Sequence, residues 1–218
     1  MIHIHITPTK RQPQNNSVTA SSFSGGERHI QLNEALRSAI VAPTCLSTNI
    51  FAQPHSAAEL MDMLLTENAL RHANPKCAFN LVIPYLPYSR QDRVCADGQA
   101  FSLEVMAQLL AIHPKKNVVT WDVHSNVAKQ LIPNLINIEA PEIIATCAPL
   151  VDLLNDESAV LICPDNGAIE RCNQLNDSLA TALPIAYCTK IRDPNTGHIS
   201  STYVELPSNM QNLNGKTA

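Results

Sequence analysis

Apolar and polar residues alternate at the start of the chain, with Ile2, Ile4 and Ile6 on one side and His3 and His5 on the other. A period of two marks a half-buried strand. Two histidines on one strand face can share a metal, although exposed strand histidines are the simpler reading. Residues 10–22 are rich in Gln, Asn, Ser and Thr and read as a loop. Gly25-Gly26 then turns the chain into an alternating strand that ends at Leu32. Residues 48–53 read as another strand, and Ser56 as the N-cap of a helix burying Leu60, Met61, Leu64, Leu65 and Leu70 and stopping before Pro75. A strand at 79–83 follows, then a helix capped by Ser102 with Leu103, Met106, Leu109 and Leu110 inside, ended by Pro114. Strands are predicted at 117–121 and 136–138, and a helix from Pro141-Glu142 through Leu153-Leu154. Apolar runs at 159–163 and 184–188, and a last strand at 200–206, complete the pattern. The order strand, helix, strand predicts an α/β protein, and its repetition after residue 138 predicts two domains, 1–138 and 139–218.

Polar residues cluster where predicted strands end, which is where open α/β sheets bind ligands. After Leu81-Val82-Ile83 comes Pro84-Tyr85-Leu86-Pro87-Tyr88-Ser89-Arg90-Gln91-Asp92-Arg93. Its arginines offer forked donors to phosphate oxygens and its tyrosines offer flat faces to a base or sugar. A solvated loop with a local Arg-Asp pair is the competing reading. Asp122-Val123-His124-Ser125 follows the next strand; either the pair shares a magnesium shell or contacts a polyphosphate, or Asp122 caps the following helix. Asp165, after Pro164, holds sugar hydroxyls or metal-bound water, or else closes an Asx turn. Alternation puts Lys190 and Arg192 on one side of a strand, as a clamp on a transferring phosphate or as a solvated edge. Residues 193–197 read as a mobile turn or lid.

Composition removes several classes. With 45% hydrophobic and 16% charged residues and no long apolar run, the chain reads as an ordinary soluble protein, not a membrane one. A net charge of −4 argues against wholesale nucleic-acid binding. Seven widely spaced cysteines without a Cys-x-x-Cys pair favour reduced thiols, and no basic and apolar leader opens the sequence, so a cytoplasmic address is expected.

Together these stretches resemble the ribose-phosphate diphosphokinase (phosphoribosyl pyrophosphate synthetase) family. The match is collinear through Phe23-Ser24-Gly25-Gly26-Glu27, the helix from Leu60 to Arg71, Pro84 to Arg93, Asp122 to Ser125, Pro164-Asp165, Lys190-Ile191-Arg192 and Gly215-Lys216. The resemblance implies two type I phosphoribosyltransferase-like domains with mainly parallel sheets, the second incomplete. It implies transfer of the β,γ-diphosphoryl group of ATP to the C1 hydroxyl of ribose 5-phosphate, with Mg2+ required, for nucleotide or NAD biosynthesis. Carried over residue by residue, Arg90, Gln91 and Asp92 bind ATP, and Phe23 and Glu27 reach the adenine of a neighbouring subunit's ATP, so a homo-oligomer is expected. Asp122 and His124 match the magnesium and ATP-phosphate positions, and Asp165 faces the ribose. Lys190 and Arg192, with His124, match the catalytic positions.

The departures from the family pattern are local except at the end. Gly25 stands where Asp or Asn is usual, Asn166-Gly167 replaces Gly-Gly, and Pro133 and Asn137 replace acidic residues. The chain stops at Ala218, before the loop that wraps the ribose phosphate in the family, so this chain alone is expected to be inactive. A noncatalytic partner of true synthetases and a phosphoribosyltransferase are the alternatives.

Overall fold

A computed structural model describes residues 2–7, 18–43, 45–114, 117–179, 181–192 and 198–217. It divides into two units, Met1–Ile138 and Glu139–Ala218. In the first, β1 (Ile2–Thr7) is followed by a hairpin of β2 (Val18–Ser22) and β3 (Arg28–Leu32), then α1 (Glu34–Val41), β4 (Ser47–Ala52), α2 (Ala57–Ala73) and β5 (Ala78–Val82). Next come α3 (Ser102–Ala111), β6 (Asn117–Trp121), α4 (Val127–Leu131) and β7 (Leu135–Ile138). Five strands form one sheet in the order β1-β4-β5-β6-β7, parallel from β4 to β7 and antiparallel between β1 and β4.

Alternation drives this sheet. Thr48, Ile50 and Ala52 of β4 and Phe79 and Leu81 of β5 all turn inward, against Leu36 and Ile40 of α1 and Met63 and Leu70 of α2. On the opposite face, Asn80 donates to Asn49 at 2.8 Å and Asn117 to Asn80 at 3.2 Å, so an amide ladder runs across three paired strands.

In the first unit the structure departs locally from the sequence pattern. Residues 18–22 are not loop: they pair with β3, Val18 opposite Leu32 and Ser22 opposite Arg28, because the partner strand satisfies a backbone whose side chains are mostly polar. Helix α1 was not expected; Asn33 accepts from the Leu36 N–H at 2.8 Å, and Leu36 and Ile40 stack one turn apart on the core. Ser56 does cap α2, accepting from the Glu59 N–H at 3.2 Å, but Met61 faces outward while Asp62, Thr66 and Glu67 are buried. Ser102 is not a cap but the first residue of α3; the Leu103 N–H donates instead to the Gln91 carbonyl at 3.1 Å.

Helix α2 tolerates its inward charges because each meets a cation. Arg71 donates from Nε to Glu67 at 3.1 Å, bonds the Pro114 carbonyl and lies 4.7 Å above the Phe79 ring. Cys45 and Cys77, before β4 and β5, form a buried cluster with Thr48; their sulfurs are 3.4 Å apart, and burial pushes the Cys77 thiol up to about 11.

The second unit carries α5 (Ala140–Ala145), α6 (Ala148–Leu154), β8 (Leu161–Cys163), a 3-10 turn at Asn166–Ala168, α7 (Ile169–Ser178), β9 (Ile185–Arg192) and β10 (Ile199–Glu205). Its sheet runs β10-β9-β8, with β8 and β9 parallel and β10 antiparallel to β9. Ala159 makes a parallel bridge to Thr217 beside β8. The continuous helix expected from Pro141 to Leu154 is two helices. Pro149 cannot donate a backbone bond and its ring excludes the carbonyl four residues back, so the chain stops at Ala145 and restarts after Cys147. Among the described residues no helix is long and apolar enough to cross a membrane.

Arg71→Met removes the cation beside a buried carboxylate and is expected to cost about 3 kcal/mol by urea unfolding; a loss under about 1 kcal/mol would mean Glu67 does not depend on it. The raised Cys77 pKa favours the fold below about 9, the ordinary thiol value, and that advantage is lost as pH climbs to about 11. Alkylation at pH 8 followed by mass spectrometry should therefore mark exposed Cys95 long before Cys77.

Candidate functional site

Adjacent strands deliver the first cluster. Beyond the end of β5 the Ile83 N–H still donates to the Val119 carbonyl at 2.8 Å, and the Trp121 N–H donates to the Pro84 carbonyl at 3.1 Å. The loops after β5 and β6 therefore leave the carboxyl edge of the sheet side by side. Within the first loop Leu86 and Ser89 are buried, Tyr88 adopts a left-handed φ of 62°, and the Gln91 N–H donates to the Tyr88 carbonyl at 3.0 Å. This tight winding exposes Arg90, Gln91 and Arg93 and leaves Asp92 half-buried. Tyr85 and Tyr88 border a cleft of about 260 Å³ shared with Pro54, His55 and Ser56.

In the second loop Asp122 takes a left-handed φ of 46°, and its N–H donates to the Ile138 carbonyl at 2.8 Å. It does not cap α4, whose N-cap position is Asn126. His124 is exposed and Asp122 half-buried. Asn137, seen in the sequence only as a missing acid, accepts from the Val123 N–H at 3.0 Å and so holds the turn between the two. The buried Thr120 Oγ1, Ser125 Oγ and Asn137 Nδ2 have no hydrogen-bond partner among the described residues, and Thr120 pairs with Asn137 across the ladder.

Magnesium suits this donor set only in company. No three His, Cys, Asp or Glu side chains gather closely enough to hold a metal among the described residues, so Asp122 and His124 make no cage of their own. One carboxylate is nevertheless a usual protein share for Mg2+, which keeps its waters and takes its other oxygens from substrate phosphates.

Another cluster belongs to the second unit. Lys190 Nζ on β9 lies 3.3 Å from Asp165 Oδ2 after β8, with about a quarter and a half of the two side chains exposed. The sequence placed these residues in separate roles; the fold pairs them. Around Asp165 the turn is fixed by its carbonyl, which accepts from the Ala168 N–H at 3.0 Å and the Cys163 thiol at 3.2 Å. A Cβ at Gly167 would stand 3.3 Å from Asp165 Oδ1, so this glycine leaves room for the carboxylate. Arg192 ends β9, but its side chain and the expected lid at 193–197 lie outside the described residues.

The Phe23 to Glu27 turn closes the hairpin in the first unit. The Phe23 N–H donates to the Glu27 carbonyl at 2.9 Å, and the exposed Phe23 ring lies 5.3 Å from the His29 ring. A Cβ at Gly25 would come within 2.6 Å of Glu27 Oε2, so a side chain here would displace the Glu27 carboxylate. Beside this turn Arg28, which sequence reasoning passed over, forms a forked pair with buried Asp62.

A mainly parallel sheet with polar loops at its carboxyl edge defines an α/β protein. The crystal structure of the synthetase from Mycobacterium smegmatis matches with a TM-score of 0.66 at 22% identity, over 86% of this chain and 58% of that one. Residues 9–113 match the family model described as the N-terminal domain of ribose phosphate pyrophosphokinase. Ribose-phosphate pyrophosphokinase from Oceanobacillus iheyensis is 28% identical over 204 residues, covering 92% of this chain and 58% of that protein. Its counterpart from Wolinella succinogenes is 29% identical over 175 residues, 78% of this chain and 52% of that protein. The chain is similar to these ribose-phosphate pyrophosphokinases, and it spans a little over half the length of the curated relatives it matches.

Asn137→Ala removes the acceptor that holds the Asp122 to His124 turn, and urea unfolding should show a loss of about 1–2 kcal/mol. Faster amide exchange at Val123 should accompany it, and unchanged exchange there would show that the turn does not rely on Asn137.

Proposed function

We propose that the chain serves a ribose-phosphate diphosphokinase, moving the β,γ-diphosphoryl group of ATP to the C1 hydroxyl of ribose 5-phosphate to give phosphoribosyl pyrophosphate and AMP. The observation that carries this reading is the side-by-side exit of the Arg90 loop and the Asp122 to His124 loop, fixed by the bonds from Ile83 to Val119 and from Trp121 to Pro84. Arg90 and Gln91 supply donors to the triphosphate, and Asp92 borders the same site. Asp122 and His124 would hold the magnesium ion that enters with ATP. Held by those two residues, it would supply charge neutralisation and polarisation to the phosphates.

In the second unit Asp165 is assigned to the ribose. Its 3.3 Å contact keeps Lys190 beside that carboxylate until phosphate oxygens compete for the ammonium. Lys190 and Arg192 then supply positive charge to the transferring diphosphoryl group, which needs positioning and charge stabilisation more than covalent help. Phe23 and Glu27 contact the adenine of a neighbouring copy's ATP, which makes a homo-oligomer part of the proposal. A cytoplasmic location fits substrates that are both intracellular phosphates.

Magnesium-ATP should raise the melting temperature of the protein, and AMP should form when ribose 5-phosphate is added to a chain extended to the length of its curated relatives. Lys190→Ala should slow AMP formation by about 100-fold or more while changing ATP affinity less than about threefold. Equal loss of both would take Lys190 out of the transfer step, and a flat thermal response to magnesium-ATP would remove the nucleotide site.

A further inference from the structure

The hairpin that carries Phe23 is anchored by one guanidinium. Arg28 Nε lies 2.7 Å from Asp62 Oδ1 and its NH2 nitrogen 2.5 Å from Asp62 Oδ2, a two-point fork onto α2. Its remaining nitrogen donates to Ser22 Oγ at 2.8 Å, and Ser22 is the residue opposite Arg28 on the last rung of the hairpin before the Phe23 turn. One side chain thus ties both strands to each other and to the helix at the base of the turn. The hydrogen bond and charge of Asp62 push the Arg28 pKa further above its usual value, so the fork stays charged throughout the working range.

Such a clamp is costly if stability is its sole purpose. The Asp62 side chain is 8% exposed, and a buried carboxylate with its cation usually contributes no more than apolar residues of the same volume. Ion pairs of this kind can instead fix registry. The hairpin has need of that. The side chains of β2 are exposed after Val18, and β3 turns only Ile30 and Leu32 inward between exposed neighbours, so apolar contact alone would let the ribbon tilt on α2. A planar fork sets both distance and rotation. The same helix also lines the tyrosine cleft through Ala57 and Leu60, five and two residues before Asp62.

We propose that Arg28 is a positioning residue that holds the Phe23 turn, through Asp62 and Ser22, as a preset stacking face for the purine of a neighbouring copy's ATP. This inference rests on the nucleotide reading given above. A preset aromatic face loses little conformational entropy on binding, whereas an untethered hairpin must be ordered at that moment. The selectivity follows: Arg28 acts on recognition of the base and leaves the triphosphate contacts of Arg90 and Asp122 alone.

The test combines calorimetric titration of the full chain with magnesium-ATP and with magnesium tripolyphosphate, which lacks base and sugar, and amide exchange over residues 23–27. Arg28→Met keeps the stem and removes the fork. It should weaken ATP about tenfold, leave tripolyphosphate within about twofold, and speed exchange in the turn while the β4 and β5 amides stay protected. In a Phe23→Ala background the same substitution should cost nothing further, because both act through one contact. Arg28→Lys should restore part of the affinity, since an ammonium reaches one carboxylate oxygen but cannot fork. Additive losses in the double variant, equal weakening of tripolyphosphate, or unchanged exchange in the turn would each overturn the proposal. Wild-type protein that binds tripolyphosphate no less tightly than ATP would refute the base contact. Wild-type protein that binds neither would refute the nucleotide reading itself, and faster exchange in Arg28→Met would then still uphold the clamp.

Discussion

Two backbone hydrogen bonds past the end of β5 decide where the polar loops of the first unit stand. Strands β4 to β7 are parallel, so the loops that follow β4, β5 and β6 all emerge at one edge of the sheet. Pro84 has no N–H to continue a ladder, yet its carbonyl still accepts from Trp121. The pairing therefore stops on one strand at the point where it hands the other its exit direction. Main-chain atoms set the spacing of the Arg90 and Asp122 loops. The left-handed φ values of Tyr88 and Asp122 belong to the same constraint, since each loop must turn sharply within a few residues of the sheet.

Helix α2 is the second organising element, and it works against the simple amphipathic pattern. Its inward side mixes Leu60, Met63, Leu64 and Leu70 with Asp62, Thr66 and Glu67. Thr66 satisfies itself by donating to the Asp62 carbonyl at 2.7 Å, one turn back. The two carboxylates reach outward along the sequence instead, Asp62 to the hairpin and Glu67 to Arg71, which also bonds the Pro114 carbonyl after α3. The helix thus uses charge where contacts must be specific in direction and apolar packing where they need only exclude water.

The legible parts of the chain were those whose signals are local. The alternation of β4, the apolar run of β5, the Ser56 cap and the extent of β6 could all be read from residue order, because period and capping depend on near neighbours. The misses needed a partner. Val18–Ser22 becomes a strand only because Arg28–Leu32 lies beside it, and Met61 faces outward only because Asp62 has a guanidinium to meet. Pro149, by contrast, stood in plain view as a helix breaker. Among the candidate site residues, Arg90, Asp122, Asp165 and Lys190 stand out by their place after or on strands, whereas Asn137 and Arg28 hold backbone or a neighbouring element. No spacing rule signals such roles, although an arginine two residues after a Gly-Gly turn and an inward-facing Asp on a helix were each locally anomalous enough to suggest a pair.

The ion pairs differ in a way that follows their expected duties. Arg28 and Asp62 meet through two short contacts with the carboxylate almost fully buried, so separating them would strand a charge in a poorly solvated place. Lys190 and Asp165 meet through one contact of 3.3 Å between partly exposed groups. Such pairs are worth about 0–1 kcal/mol, because water and salt compensate either ion on separation. Under the proposed reaction this weakness is functional. A lysine held firmly by its aspartate would be too costly to redirect, and one held by nothing would wander through the rotamers of its four-carbon stem. A weak contact keeps the ammonium near the ribose-facing turn, and the multiple charges of a diphosphoryl group suffice to draw it away.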